Sequence, residues 1–94
     1  MIRHVVMWKL KEENLKENAK RIKEMLEALP KHIPQIVELD VGLNEKEGAF
    51  EVGLVTKFNS FDDLKIYDAH PEHQKARAFI RSVVESREVL DYEI

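Results

Sequence analysis

The chain is predicted to be one α+β domain of order βαββαβ, with a four-stranded antiparallel sheet that carries both helices on one face. Three features support this. Four segments are apolar or alternate at strand spacing, two segments between them repeat apolar residues at three- and four-residue steps, and proline or glycine marks most of the boundaries. At 94 residues, with only three glycines and three prolines, the chain fits a single domain spanning residues 1–94.

The first strand is read from Ile2 to Leu10. Ile2, His4, Val6, Trp8 and Leu10 share one face and Arg3, Val5, Met7 and Lys9 the other, so its centre is apolar on both sides. Asn14-Leu15-Lys16-Glu17 has the form of a capping box and starts the first helix. Leu15, Ala19, Ile22, Leu26 and Leu29 make its apolar stripe, and Pro30 and Pro34 bring it to an end. Strand two, Ile36 to Leu43, sets Val37, Leu39, Val41 and Leu43 against Glu38, Asp40 and Gly42.

The polar loop Asn44 to Gly48 returns the chain into strand three, Ala49 to Phe58, which places Phe50, Val52, Leu54, Thr56 and Phe58 on one face. Ser60-Phe61-Asp62-Asp63 is a capping signal for a short helix through Tyr67 or Asp68. Pro71, with His70 held extended before it, restarts the helical path as far as Val84, with Ala76, Phe79, Ile80, Val83 and Val84 as its buried stripe. Arg87 to Ile94 is the last strand, with Val89 and Asp91 opposed to Leu90, Tyr92 and Ile94.

This element order suits a ferredoxin-like sheet, because only the middle strand pair is joined by a short loop. Both helices then cover one face. The other face keeps apolar residues from strands one and three, and water is a poor cover for a patch of that kind. The simplest cover is an identical chain related by a two-fold axis, burying about 800 Å² per subunit and closing a dimeric α/β barrel. A homodimer is therefore expected.

A net charge of −3 gives no basic footprint for nucleic acid. The apolar run at Met1–Trp8 is broken by Lys9 and is too short to span a membrane, so neither partner is expected. The absence of cysteine excludes disulfides, thiolate metal sites and a cysteine nucleophile, and it fits a reducing cytoplasmic setting.

Four histidines and a tyrosine hold the chemistry. His4 shares a face with Val6 and Trp8, where it is either a satisfied interior histidine or a base. His73 follows Pro71 by two residues, in the first turn of a helix, where the dipole favours the neutral, base-competent ring. The alternative is that His70 and His73 together form a surface cap at the helix break. Trp8 reads as core with an N–H in need of an acceptor, and Asp91 and Tyr92 as locks for the edge of the sheet or dimer. His70, His73 and Asp68 do not complete a metal set, so no metal site is expected. No Gly-flanked serine nucleophile, phosphate-cradling loop or carboxylate pair in an apolar setting is present, which leaves a cofactor-free reading.

Three segments carry a family resemblance. Met1-Ile2-Arg3-His4-Val5-Val6-Met7-Trp8-Lys9, Tyr67-Asp68-Ala69-His70-Pro71-Glu72-His73 and Val89-Leu90-Asp91-Tyr92-Glu93, in this order and spacing, resemble the stress-responsive A/B barrel (Dabb) domain. The resemblance implies a dimeric barrel of two ferredoxin-like chains. One plant member is a polyketide cyclase that uses the strand-one histidine and the second histidine of His-Pro-x-His, and other members are stress-associated proteins without an assigned reaction. The matching positions are His4 and His73, and Tyr67 matches a pocket tyrosine. The cyclase also uses a tyrosine on its first helix, and this chain has no aromatic residue between Leu15 and Leu29.

The sequence thus points to a homodimeric, cofactor-free pocket protein for a small carbonyl or aromatic compound, with His4 and His73 as bases and Tyr67, Trp8 and His70 in contact with the ligand. The alternatives are a cofactor-independent lyase or cyclase-like enzyme using the same histidines, and a stress-associated structural oligomer with no ligand.

Overall fold

The structure is a computed structural model that describes residues 1–94. β1 (Ile2–Leu10) lies in the middle of a four-stranded antiparallel sheet of order β2-β3-β1-β4, with β2 at Glu38–Leu43, β3 at Val52–Phe58 and β4 at Val84–Glu93. α1 (Leu15–Glu27), α2 (Phe61–Ala69) and α3 (Pro71–Val83) supply the helices. This is the ferredoxin-like arrangement expected from the element order. None of these helices is long and apolar enough to cross a membrane.

The alternation along β1 divides the molecule. Ile2, His4, Val6, Trp8 and Leu10 are buried, and they meet Val52, Leu54, Thr56 and Phe58 of β3 on the same side. Ala19, Ile22 and Leu26 of α1 with Ala76 and Ile80 of α3 close the core over that face. Burying such side chains contributes roughly 1.5–3 kcal/mol each, which makes this layer the main source of stability.

One cap and four boundaries differ from expectation. Asn14 does not form a capping box: its backbone is left-handed (φ 52°, ψ 33°), and its side chain makes no cap hydrogen bond. An N-cap whose side chain holds a first-turn amide has extended backbone, which Asn14 lacks, and the helix opens on the Asn18 amide donating to the Asn14 carbonyl. α1 ends at Glu27, and Leu29 is buried in a separate 3₁₀ turn, Leu29–Lys31, because Pro30 disfavours the α conformation in the residue before it.

β2 and β3 begin later than the alternation suggests. The Ile36 amide turns back to the Ile33 carbonyl, and Asn44 fastens the β2–β3 loop through the Phe50 and Glu51 carbonyls. β4 begins earlier, directly from α3 at Val84, since Leu10 of β1 still takes Val84 as its cross-strand partner after a register shift beside Lys9.

The outer sheet face presents a row of apolar residues, Leu90, Val5 and Val55, running from β4 across β1 to β3. Leu90 is 59% exposed and Met7, one row along, is 40% exposed, which marks this face as unsheltered within the single chain. Toward one end the row gives way to Arg3, Lys57 and Glu38, joined by ion pairs of 3.3 and 3.6 Å.

The two helix starts make a paired prediction. Ser60 accepts from the Asp63 amide at 3.1 Å, so Ser60→Ala is expected to lower unfolding free energy by about 1 kcal/mol. Asn14→Gly replaces a strained residue with one suited to its backbone and is expected to leave stability unchanged or raise it. Urea titration of both variants checks the pair, and a clear loss in Asn14→Gly would restore a capping role to that side chain.

Candidate functional site

The site arises where α2 stops and α3 starts. Pro71 cannot continue α2, so the Asp68 carbonyl in its last turn is left without a helical partner. Two side chains from the next helix satisfy it: Gln74 Nε2 at 2.6 Å and His73 Nδ1 at 3.2 Å. A carbonyl only accepts, so His73 Nδ1 carries the hydrogen, and Nε2 keeps its lone pair with no protein partner.

His70 takes the other role. Its Nδ1 accepts from the Glu72 amide at 3.1 Å as the N-cap of α3. The expected surface cap is thus made by His70 alone, while His73 is buried. His70 was also expected to touch a ligand, but the structure engages its ring in capping and leaves it off the lining of the cavity described below.

His4 reaches the same place from the sheet. Its cross-strand partner on β4 is Asp91, and His4 Nδ1 bonds to Asp91 Oδ1. A carboxylate accepts here, which places a ring hydrogen on Nδ1 and leaves Nε2 without a protein partner. On the other side Thr56 Oγ1 donates to the His4 carbonyl at 2.9 Å and holds the backbone. His4 is therefore a satisfied interior histidine at one nitrogen and open at the other. Asp91 was expected only to lock an edge. Its role follows from two facts that the sequence does contain: it alternates onto the face of Val89, and antiparallel pairing of the two terminal strands sets it opposite His4.

Tyr67, in the last turn of α2, stands between the two histidines. Its ring centroid is 4.2 Å from His73, 6.1 Å from His4 and 5.0 Å from Phe58. The ring is fully buried, yet no protein group pairs with its hydroxyl. Burial, with the nearby Asp68 charge adding to it, pushes the phenol pKa well above its ordinary value, so the hydroxyl stays protonated and is a donor.

These groups line a cavity of about 60 Å³ between sheet and helices. His4, Trp8, Tyr67 and His73 meet there, so four of the five residues expected to serve a ligand are brought together. Asp68, Arg77, Arg81 and Arg87 bring charge to the same cavity, and of these the sequence reading gave weight only to Asp68. An arginine on an amphipathic helix reads as solvated surface, and no periodicity distinguishes one that turns toward a cavity, whereas Arg87 alternates onto the face of Val89 and Asp91. A wider groove of about 700 Å³ lies between the start of α1 and the β2–β3 loop, but lysine and glutamate dominate its walls. No group of three His, Asp or Glu side chains is placed to hold a metal ion.

Comparison with known proteins agrees with this architecture. The family model of the stress responsive A/B barrel domain matches residues 2–94. A dimeric protein of unknown function and ferredoxin-like fold from Bacteroides fragilis is 36% identical, with a TM-score of 0.92 over 99% of this chain and 95% of that one. A dimeric ferredoxin-like protein from Thermobifida fusca is 21% identical, with a TM-score of 0.88 over 99% of this chain and 90% of that one. The hydroxynitrile lyase of Passiflora edulis is 20% identical, with a TM-score of 0.86 over 99% and 92%. The last two likenesses concern fold. No protein with a curated description matches the sequence.

Burial is the main cause that lowers the His73 pKa below the ordinary 6.5, opposed by the bond to Asp68. The folded state thus favours neutral His73. Its contribution is fully present above pH 6.5 and is lost as pH falls through the lower folded value. Wild type is expected to lose stability more steeply below pH 6.5 than His73→Gln does, as read by urea midpoints across that range. Parallel profiles would show that His73 titrates as it does in the unfolded chain.

Proposed function

The chain belongs to the stress responsive A/B barrel domain family, and on that footing we propose that it is a cofactor-free pocket protein for a small carbonyl compound. The observation that carries this is the Tyr67 hydroxyl: a buried donor with no protein acceptor, beside two imidazoles whose Nε2 atoms are free of protein partners. An unmet buried donor costs about 1–3 kcal/mol, and a carbonyl oxygen in the cavity would accept from it. Trp8 supplies the flat apolar wall. A cavity known to take benzene measures about 150 Å³, so the space here suits a carbonyl head with a few attached atoms.

The same arrangement supports a second reading, an enzyme that removes a proton next to the carbonyl. Nε2 of His4 or His73 would take the proton while the Tyr67 hydroxyl donates to the enolate oxygen as charge develops there. Asp91 would hold the His4 ring in the required tautomer.

The protein acts as a homodimer in this proposal, with the Leu90, Val5 and Val55 row packed against its copy to complete the barrel. The exposed apolar patch supports it, as does the description of the 36% identical Bacteroides fragilis protein as dimeric. Sedimentation at micromolar concentration is expected to give a dimer. Val55→Glu, which sets a charge in the middle of that face, is expected to give a folded monomer, and a wild-type monomer would end the barrel reading.

The pocket itself is tested by Tyr67→Phe. No protein partner is lost, so stability is expected to hold or rise, while binding of 2-butanone, followed by amide chemical shifts around His4 and His73, is expected to weaken by about tenfold. Equal affinity in the two proteins would remove the hydroxyl from the site.

A further inference from the structure

The floor of the cavity is neutral, and its charged residues form an unbalanced set. The single carboxylate among them, Asp68, already pairs with Arg77 Nη2 at 3.7 Å. Arg81 and Arg87 take part in none of the ion pairs of the molecule and in none of its side-chain hydrogen bonds to protein groups. Carboxylates are not scarce, since the chain has 18 acidic residues against 15 basic ones. Arg3, Lys23, Lys57 and Lys75 all find one.

Nor does local structure account for the placement. Arg77 and Arg81 lie four residues apart on α3, a like-charge spacing that is unfavourable. Arg81 gains something from the C-terminal end of α3, where a cation is favoured. Arg87 has no such reason. It comes from the edge strand β4, across from Trp8, and so brings a third guanidinium, the second without a partner, to the cavity from the opposite layer of the fold.

We propose that the ligand of this cavity carries a carboxylate held by Arg81 and Arg87, which makes it a small oxo acid with its carbonyl directed at Tyr67. The inference rests on the pocket reading above and narrows its ligand class. Guanidinium forks match the planar carboxylate in two-point contact. The enclosed volume also directs the charge outward, because a head of a few atoms fills it and the remainder of the ligand must extend to the arginines.

The test compares acetoacetate and levulinate with their methyl esters by calorimetric titration of wild type, Arg81→Gln, Arg87→Gln and Tyr67→Phe. Each acid is expected to bind wild type about tenfold or more tightly than its ester, and each arginine variant is expected to remove about that factor for the acid while leaving the ester unchanged. Added salt should weaken the acids alone. Both arginines are exposed, so their replacement should not disturb folding.

Equal binding of acid and ester, or arginine variants that bind the acid as wild type does, overturns the carboxylate site. In that outcome a Tyr67-dependent ester leaves the pocket reading standing. Arginine-dependent acid binding that ignores Tyr67→Phe supports the anion site and removes the carbonyl from the floor. Absence of binding by every acid and ester overturns both.

Discussion

The structure depends on β1 being an inner strand of an open sheet and apolar on both sides. A strand in that position has neighbours on both edges, so neither its hydrogen bonds nor its pleat can shift without moving β3 and β4 together. One face of β1 gives the core its middle and brings His4 and Trp8 under the helices. The other sets Val5 and Met7 outward in line with Leu90 and Val55. A one-residue slip would exchange the two sets, exposing the histidine and burying Arg3 and Lys9. The helix-side cavity and the unsheltered outer face are therefore consequences of a single alternation.

The second determinant is the break between α2 and α3. A continuous helix would use the Asp68 carbonyl internally and would have no place for an imidazole against it. Pro71 ends that possibility, His70 caps the new helix, and the freed carbonyl fixes the ring of His73 with its other nitrogen outward. On the sheet side Asp91 does the same for His4. Both histidines are thus bound through Nδ1 and open at Nε2, by unrelated means, and Tyr67 lies between them as the only unmatched buried donor.

Most of the fold was legible because its signals are local. The bounds of β1 follow from nine residues of β-branched, apolar and alternating character, and the Ser60 cap works as its spacing suggests. The misreadings have both local and distant causes. Asn14-Leu15-Lys16-Glu17 has the letters of a capping box, but a left-handed backbone at Asn14 overrides them. β4 starts at Val84 because β1 extends to Leu10 and needs a partner there, which nothing in the α3 pattern reveals. Asp91 could have been found by counting the pairing of the terminal strands. The same count sets Arg87 opposite Trp8, whereas Arg81 could not be found this way, since the direction of a long charged side chain on a helix is set by neighbours that the sequence does not order in space.

The proposed site divides its labour between dielectric environments. Deep burial holds Tyr67 protonated and His73 neutral, and the same burial makes that floor hostile to any ion, including a carboxylate group. An anionic ligand can enter only with its uncharged end first, leaving the charge at the exposed rim where two guanidinium groups lack partners. That ordering fixes orientation before any specific contact is made at the carbonyl. It also sets the reach of the ligand, because the carbonyl must meet Tyr67 while the acid group remains with Arg81 and Arg87. A neutral floor under a basic rim thus selects by the separation of two groups on one small molecule, which neither histidine could do alone.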